Sequence, residues 1–357
     1  MIFILLPLGF RSKELTYFGL LGVLILLLNN SIKISNIKVI LIFLGISFLG
    51  TFFSIFNHQE FSMFQFFRGL IFPILTITLL EAKFKPSFFI RLEKLIPMIT
   101  IGGCTSASIY FMMGSDGYNS TLNIPYDFSE YKRFYIYPFY FFFILFFDSV
   151  NKSNNNVHLL YAFLLILSGS KLILLLIFLT YSYKYLYKNL TLNNFLYLIG
   201  IIFLLGYVST LSEIFDRFVD LYLHGDPWRI TEPIAALKRL LNPIKFFIGN
   251  GSGIPYWAGE PINSIFQTNY RLLQNSMYDV HNGIVNLWLK FGIPLGTFFL
   301  YKLYKILPMI PNKNFLFFML ITLILFSHGP IQTVESLGLV LGIRLLIFKN
   351  NLLAIDK

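Results

Sequence analysis

Charged side chains are scarce in this chain: Asp, Glu, Lys and Arg together make up 13% of its 357 residues. Soluble globular proteins carry about 25% charged residues, so this scarcity excludes an ordinary soluble domain. Cysteine is nearly absent as well, since Cys104 is the only one in the sequence. A single cysteine excludes a disulfide framework and a metal site built from several thiolates.

Apolar residues are correspondingly abundant, at 56% of the chain, with 42 Phe and 21 Tyr. A membrane-spanning helix needs ~20 mainly apolar residues. Runs of that kind lie near 15–30, 38–56, 62–81, 95–113, 133–149, 157–169, 171–187, 194–212, 287–305, 314–328 and 334–348, with 1–10 as a further candidate. The sequence therefore predicts an all-α, polytopic integral membrane protein with about 11–12 transmembrane helices.

Lysine and arginine cluster in alternate loops, with Arg11 and Lys13 as the exception. One set holds Lys33, Lys38, Lys83, Lys85, Arg91, Lys94, Lys152, Lys184, Lys188, Lys302, Lys305, Lys313, Arg344, Lys349 and Lys357. Such residues favour the cytoplasmic side, which places 57–61, 114–132, 168–171, 213–281 and 329–333 on the outer face. This bias also explains the net charge of +11, and the sequence has no basic run that would indicate a nucleic-acid partner.

One outer loop, residues 213–281, is far longer than a connector, and loops beyond ~12–15 residues are usually functional or disordered. The chain is therefore organised as N-terminal transmembrane helices (1–212), this large loop (213–281) and C-terminal transmembrane helices (282–357), which form one integrated membrane domain. Within the loop, 231–241 is predicted to be a short helix. The Phe-rich run "FYFFFILFF" (139–147) is predicted to face lipid.

Ionisable residues at membrane depth are functional candidates, because an unpaired buried charge is costly. Four lie on the predicted outer face: Arg133, Lys171, Arg229 and His281. Each also has a structural interpretation that stays open. Arg133 and Lys171 can extend to lipid headgroups, Arg229 can pair with a neighbouring carboxylate, and His281 can be a polar residue at a helix start.

The motifs "WR" (228–229), "IGNGSG" (248–253) and "HNGIVNLWLKFGIPLG" (281–296), in this order around one long outer loop, resemble the O-antigen polymerase and O-antigen ligase superfamily. "SGSK" (168–171) resembles the family's Ser-Arg motif, with Lys171 in place of arginine. Taken alone, "GNGSG" predicts a tight turn whose glycines adopt positive φ. Lys290 is unusual in an apolar helix, so we expect the membrane span to start near Gly292.

The resemblance implies a membrane glycosyltransferase in the bacterial inner membrane, with its active site facing the periplasm. It implies transfer of a glycan from an undecaprenyl pyrophosphate carrier to another lipid-linked repeat unit, without a cofactor or metal. His281 is then the candidate base, because the unperturbed pKa of histidine, ~6.5, suits that role. Arg229 is the second catalytic candidate. Arg133, Lys171, Asn282 and Trp228 are candidates for binding pyrophosphate or glycan, and Asn282 can instead hold the neighbouring backbone.

The partners expected from the resemblance are a lipid-linked glycan donor, a lipid-linked glycan acceptor and the bilayer. A chain-length regulator is a further partner that the resemblance allows. A ligase that transfers the glycan to the lipid A core is the alternative activity, because both activities share these motifs. A lipid-linked oligosaccharide flippase is the third interpretation. Transporters commonly show internal repeats and charges at the bilayer midplane; the absence of a repeat in the sequence and the grouping of charges on one face favour the enzyme.

Overall fold

The structure is a computed structural model that describes residues 32–34, 37–57, 59–113, 139–151, 157–167, 171–184, 200, 227–258, 276–277, 280, 282–307, 314–327 and 335–355. This part of the chain is mostly helical. Its elements are β1 (Ile32–Ile34), α1 (Ile37–Phe56), α2 (Met63–Glu81), β2 (Ala82–Phe84), α3 (Pro86–Met113), α4 (Phe139–Asn151), α5 (Val157–Leu167), α6 (Lys171–Ser182), α7 (Pro227–Arg239), α8 (Pro243–Ile248), β3 (Trp257–Ala258), β4 (Ser276–Met277), α9 (Gly283–Phe291), α10 (Ile293–Lys305), α11 (Asn314–Ser327) and α12 (Glu335–Ile355).

The helices follow the apolar runs of the sequence closely where the runs are longest. The runs at 38–56 and 62–81 become α1 and α2 with shifts of one residue at their starts. The run at 287–305 is wrong as a single helix, because Gly292 adopts φ +78° and separates α9 from α10. The run at 15–30 lies outside the described residues, as does 194–212 apart from Gly200.

One helix in the described ranges, Ile37–Phe56, is long and apolar enough to cross a membrane. Other helices in the described ranges are shorter than the ~17 residues that a span usually needs: α4, α5, α6, α10 and α11 have 13, 11, 12, 13 and 14 residues. The structure therefore shows a mostly helical protein with one candidate membrane span and several shorter apolar helices. The polytopic arrangement of about 11–12 spans stays a prediction.

The described chain falls into two compact units. The first, which we call the loop unit, is built from Ile32–Phe84 and Asp226–Leu341. Its core brings α1 against α9 and α10, where the Phe43 ring meets Phe291 at 5.3 Å and Phe299 at 5.9 Å between centroids. The second, the Phe-rich unit, is built from parts of Lys85–Gly225 and Gly342–Lys357.

The Phe-rich unit buries α4 on all sides. Every residue from Tyr140 to Phe147 is at most 5% exposed, so the prediction that this run faces lipid is wrong. A helix that is apolar all round suits either lipid or the centre of a bundle, and sequence alone does not separate the two. Here α5 and α6 pack against α4, and Ile144 lies against Gly342.

Candidate functional site

The predicted site residues fall largely where side chains are not described. His281 and Arg133 lie outside the described residues. Trp228 and Arg229 belong to the first turn of α7, and Lys171 is the first residue of α6, but only their backbone is described. The placement of these residues on one outer face therefore stays a prediction, while the segments around His281 and Arg229 can be described.

The "IGNGSG" motif forms the centre of the loop unit. Gly249, Gly251 and Gly253 have φ of +76°, +83° and +77°, which confirms the predicted turn with positive φ. We call residues 249–256 the glycine loop, and all of them are buried. Loops usually run over protein surfaces because buried backbone must find hydrogen-bond partners. The burial of this one therefore requires a set of dedicated partners.

Helix α1 supplies part of that set from a polar face on an otherwise apolar helix. The Ser54 hydroxyl donates to the Asn250 carbonyl at 2.8 Å, and the Thr51 hydroxyl donates to the Ser252 carbonyl at 3.0 Å. One helical turn before Thr51, the Ser47 hydroxyl lies 3.2 Å from the Ser252 hydroxyl. Residues 47, 51 and 54 share one helix face, and this spacing is the sequence signal that identifies the docking face.

Close approach between the backbones explains the glycines at the contact. A Cβ on Gly50 would lie 2.5 Å from the Ile248 carbonyl oxygen, and one on Gly251 would meet the backbone of Thr51. Any larger residue at these positions would separate the loop from α1. The motif therefore provides a packing surface as well as a turn.

The other side of the glycine loop contacts the segment that follows His281. The Asn250 amide N–H donates to the Leu289 carbonyl at 2.6 Å, and a Cβ on Gly249 would lie 2.6 Å from the Lys290 carbonyl carbon. A Cβ on Gly292 would collide with the Phe247 carbonyl, so the break between α9 and α10 is where the short helix α8 packs. The two motifs of the resemblance are therefore in direct contact.

The start of α9 is fixed on both sides of position 281. The buried Asn282 side chain accepts hydrogen bonds from the Ile284 and Val285 N–H groups, each at 3.1 Å, as an N-cap residue does. This shows one of the two roles left open for Asn282, that of holding the backbone. On the other side, Val280 packs into a cluster with Ala236 of α7 and Tyr256 of the glycine loop.

Two further residues of α9 extend the polar face that begins at Asn282: Asn286, which was not among the predicted site residues, and Lys290, which is unusual in an apolar helix. Asn286 and Lys290 follow Asn282 at intervals of four residues, and all three are buried. Within the described part of the chain, neither amide atom of Asn286 has a hydrogen-bond partner. A Cβ on Gly69 of α2 would lie 2.5 Å from the Lys290 Nζ, so glycine leaves room for this ammonium group. The N-x₃-N-x₃-K spacing is the signal that would have revealed the face.

Among the described residues, no group of three or more His, Cys, Asp or Glu side chains could hold a metal ion. Comparisons with protein-family models, curated proteins and solved structures find no match to this chain.

Proposed function

We propose that this chain is a multi-pass membrane glycosyltransferase that polymerises lipid-pyrophosphate-linked oligosaccharide repeat units at the outer face of the bacterial inner membrane. One observation carries the proposal: α7, the glycine loop and α9 pack together in the loop unit. These segments hold three of the four motifs that resemble the polymerase and ligase superfamily. Arg229 lies in the first turn of α7, and His281 directly precedes the residue that caps α9.

The membrane orientation that follows from lysine and arginine is supported by contacts in the loop unit. Lys33 of β1 and Lys83 of β2 are register partners, and Lys302 of α10 forms an ion pair with Glu81 at 2.6 Å. The positive-inside rule assigns all three lysines to the cytoplasmic side. Residues from two segments assigned to the outer side, 57–61 and 213–281, line a common cavity, which contains Asn57 and Lys245.

The Phe-rich unit gives independent support for the same orientation. Lys349 contacts Glu93 at 3.0 Å and Asp148 at 3.7 Å. Glu93 lies between Arg91 and Lys94, and Asp148 lies near Lys152, so each contact joins segments assigned to the cytoplasmic side. A wrong assignment of alternate loops would bring inner and outer segments together instead.

The glycine loop then lies at membrane depth. It runs beside α1 from Ser54 to Ser47, which is about 10 Å along a helix with 1.5 Å rise per residue. Non-helical backbone is tolerated at this depth only where protein buries it or it lines a cavity. Its hydrogen bonds to α1 and α9 meet that requirement and hold this part of the outer loop in place.

In the proposed reaction, the acceptor hydroxyl gives its proton to the His281 imidazole. The acceptor oxygen forms a bond to the anomeric carbon of the donor, and the bond from that carbon to the pyrophosphate oxygen breaks. The lipid pyrophosphate leaves with the electron pair, and Arg229, Arg133 and Lys171 stabilise its charge. Trp228 and Asn282 lie beside these residues in sequence and are the candidates for contacting the glycan.

The test is complementation of a strain that lacks this chain. We expect His281→Ala and Arg229→Ala to abolish chain extension at normal protein levels, while the matched controls His328→Ala and Lys305→Ala extend chains normally. Full extension in either of the first two variants would remove that residue from the mechanism.

The deletion strain itself separates the polymerase from the ligase. We expect lipopolysaccharide that carries single repeat units. Bare core with lipid-linked polymer accumulating would instead identify the ligase activity. Normal lipopolysaccharide with full-length chains in the deletion strain would contradict both activities.

A further inference from the structure

A basic cavity of about 330 Å³ lies at the C-terminal end of α1 in the loop unit. It is lined by residues from α1 and the segment after it, and from α7, α8 and the turn between them: Phe53, Asn57, Gln59, Lys238, Arg239, Asn242 and Lys245. Three of these residues carry positive charge, and none of the described residues lining the cavity is acidic. Such an arrangement favours an anionic occupant.

The cations are held in place by the surrounding structure. Lys245 is buried, and its Nζ donates to the Asn250 Oδ1 of the glycine loop at 2.6 Å. The Arg239 Nε donates to the Tyr256 carbonyl at 3.0 Å. Burial, together with the nearby Arg239 guanidinium, lowers the pKa of Lys245 to about 8. An anion in the cavity would offset the repulsion between the two cations.

Exposed apolar side chains lie next to the cavity residues along the chain. Phe56 is 67% exposed, Leu241 is 80% exposed and Phe247 is 62% exposed. Phe56 precedes Asn57, and Leu241 and Phe247 flank the segment that holds Asn242 and Lys245. A free phosphate ion would need no apolar surroundings, whereas a lipid presents a charged group directly beside hydrocarbon.

The position of the cavity agrees with that chemistry. Helix α1 is the described helix that is long and apolar enough to cross a membrane, and the cavity lies where this helix ends. The ends of a spanning helix lie at the depth of lipid headgroups. Basic pockets of membrane proteins on the cytoplasmic side bind anionic lipid headgroups, and the same charge attraction applies at the outer face.

We propose that this cavity binds the phosphate headgroup of an anionic phospholipid, with Lys238, Arg239 and Lys245 contacting the phosphate. Phe56, Leu241 and Phe247 then lie in the acyl layer around it. The inference rests on the membrane embedding that the proposed function includes, but it uses none of the residues assigned to glycan transfer. The lipid anchors the start of the glycine loop through Lys245 and Asn250.

The experiment titrates the full-length protein, purified in neutral detergent, with dihexanoyl phosphatidylglycerol, dihexanoyl phosphatidylcholine and inorganic phosphate in separate calorimetric runs. We expect phosphatidylglycerol to bind at least about 10-fold more tightly than phosphatidylcholine, because the quaternary ammonium of choline would lie beside the three cations of the cavity. Inorganic phosphate is expected to bind more weakly as well, because it has no acyl chains to contact the apolar side chains. Equal affinity for the two lipids would overturn the proposal. Inorganic phosphate binding as tightly as phosphatidylglycerol would also overturn it and identify a free-anion site.

Variants then assign the binding to this cavity. We expect Lys245→Met to weaken phosphatidylglycerol binding about 10-fold or more, and Lys238→Ala to weaken it about 2–5-fold, because Lys238 is exposed. Lys305→Ala, an exposed lysine elsewhere in the loop unit, serves as the matched control and is expected to bind normally. Lys238→Ala keeps the test decisive if Lys245→Met does not fold. Unchanged binding in Lys238→Ala would contradict the assignment.

A pH series gives a separate readout, because the phosphodiester of phosphatidylglycerol does not titrate near neutral pH. The charged groups that line the cavity are Lys238, Arg239 and Lys245. Raising the pH from 7 to 9.5 removes the Lys245 charge first, since its pKa is about 8. Wild-type affinity is expected to fall about 10-fold over this range, while that of Lys245→Met stays flat. A wild-type affinity that does not change with pH would contradict the proposed role of Lys245. Glycan is absent throughout, so failure here leaves the transfer proposal to its own test.

Discussion

The two units bury different kinds of side chain. In the loop unit, hydroxyl, amide and ammonium groups are buried along α1, the glycine loop and α9. In the Phe-rich unit, the buried polar side chains among the described residues are Thr100 and Thr180. Both of these donate to a carbonyl four residues earlier in their own helix. Among the described residues, the loop unit therefore buries more polar side chains that bond between elements, whereas the Phe-rich unit has the ion pairs of Lys349 and a contact between Tyr161 and Thr100.

This difference separates the stabilising role of a core from the requirements of a site. An apolar core tolerates changes that keep its volume, because its contacts are not directional. A buried polar network fails when one partner is lost, because the remaining group stays desolvated and unpaired. We therefore expect stability and activity to respond differently to substitutions in the two units.

The largest effect is expected in the Phe-rich unit. Phe143→Ala removes a fully buried ring from α4 and should lower the free energy of unfolding by about 3–5 kcal/mol. Equilibrium unfolding in mixed micelles, followed by circular dichroism, measures this loss. Chain extension per folded molecule should be unchanged, and the control Phe143→Leu should lose much less stability. A selective loss of extension activity would break the proposed separation of roles.

The next effect is expected at the contact between α1 and the glycine loop. Gly251→Ala places a Cβ against the Thr51 backbone at φ +83° and should cost about 2–4 kcal/mol, with loss of chain extension. The matched control is Gly45→Ala on the same helix α1, where a Cβ meets nothing within 4 Å. That change should be neutral or stabilising by about 0.5–1 kcal/mol. Similar losses in both variants would contradict the docking described for the loop.

The smallest effect is expected at the start of α9. Asn282→Ala removes the cap and should cost about 1 kcal/mol, whereas Asn282→Asp keeps an oxygen that can cap and should stay close to the wild type in stability. The same unfolding measurement applies, with chain extension assayed in parallel. Loss of extension in a stable Asn282→Asp variant would assign the amide a role in glycan binding beyond holding the backbone. Equal stability of Asn282→Ala and the wild type would show that the cap does not stabilise α9.

The sequence predicts the helices better than it predicts what surrounds them. The bounds of α1 and α2 follow from the length of apolar runs, because burial in lipid or in protein selects the same residues. For that reason the run at 139–147 was assigned to the wrong environment. The break at Gly292 was anticipated as the start of a span, but the close contact that excludes a side chain there, with the Phe247 carbonyl, comes from a distant segment.

The site was predictable in part for a similar reason. The positive φ of the "GNGSG" glycines follows from local chemistry, and the structure confirms it. The burial of the loop depends on its contacts with Ser47, Thr51 and Ser54. These residues lie about 200 positions earlier in the chain, and no local sequence pattern links them to the loop. Lys245 was not selected because its burial depends on Asn250 and the fold around it. The side chains of Arg229, Arg133, Lys171 and His281 remain the subject of prediction.

The bonds between α1 and the glycine loop have a consequence for biogenesis. Ser47 and Ser252 are 205 positions apart, and a ribosome that adds about 5–20 residues per second needs roughly 10–40 s to make that length of chain. During this interval α1 has been made but its partner has not. The Thr51 hydroxyl already has a local acceptor in the Ser47 carbonyl, at 2.9 Å, so this donor is satisfied before Ser252 is made.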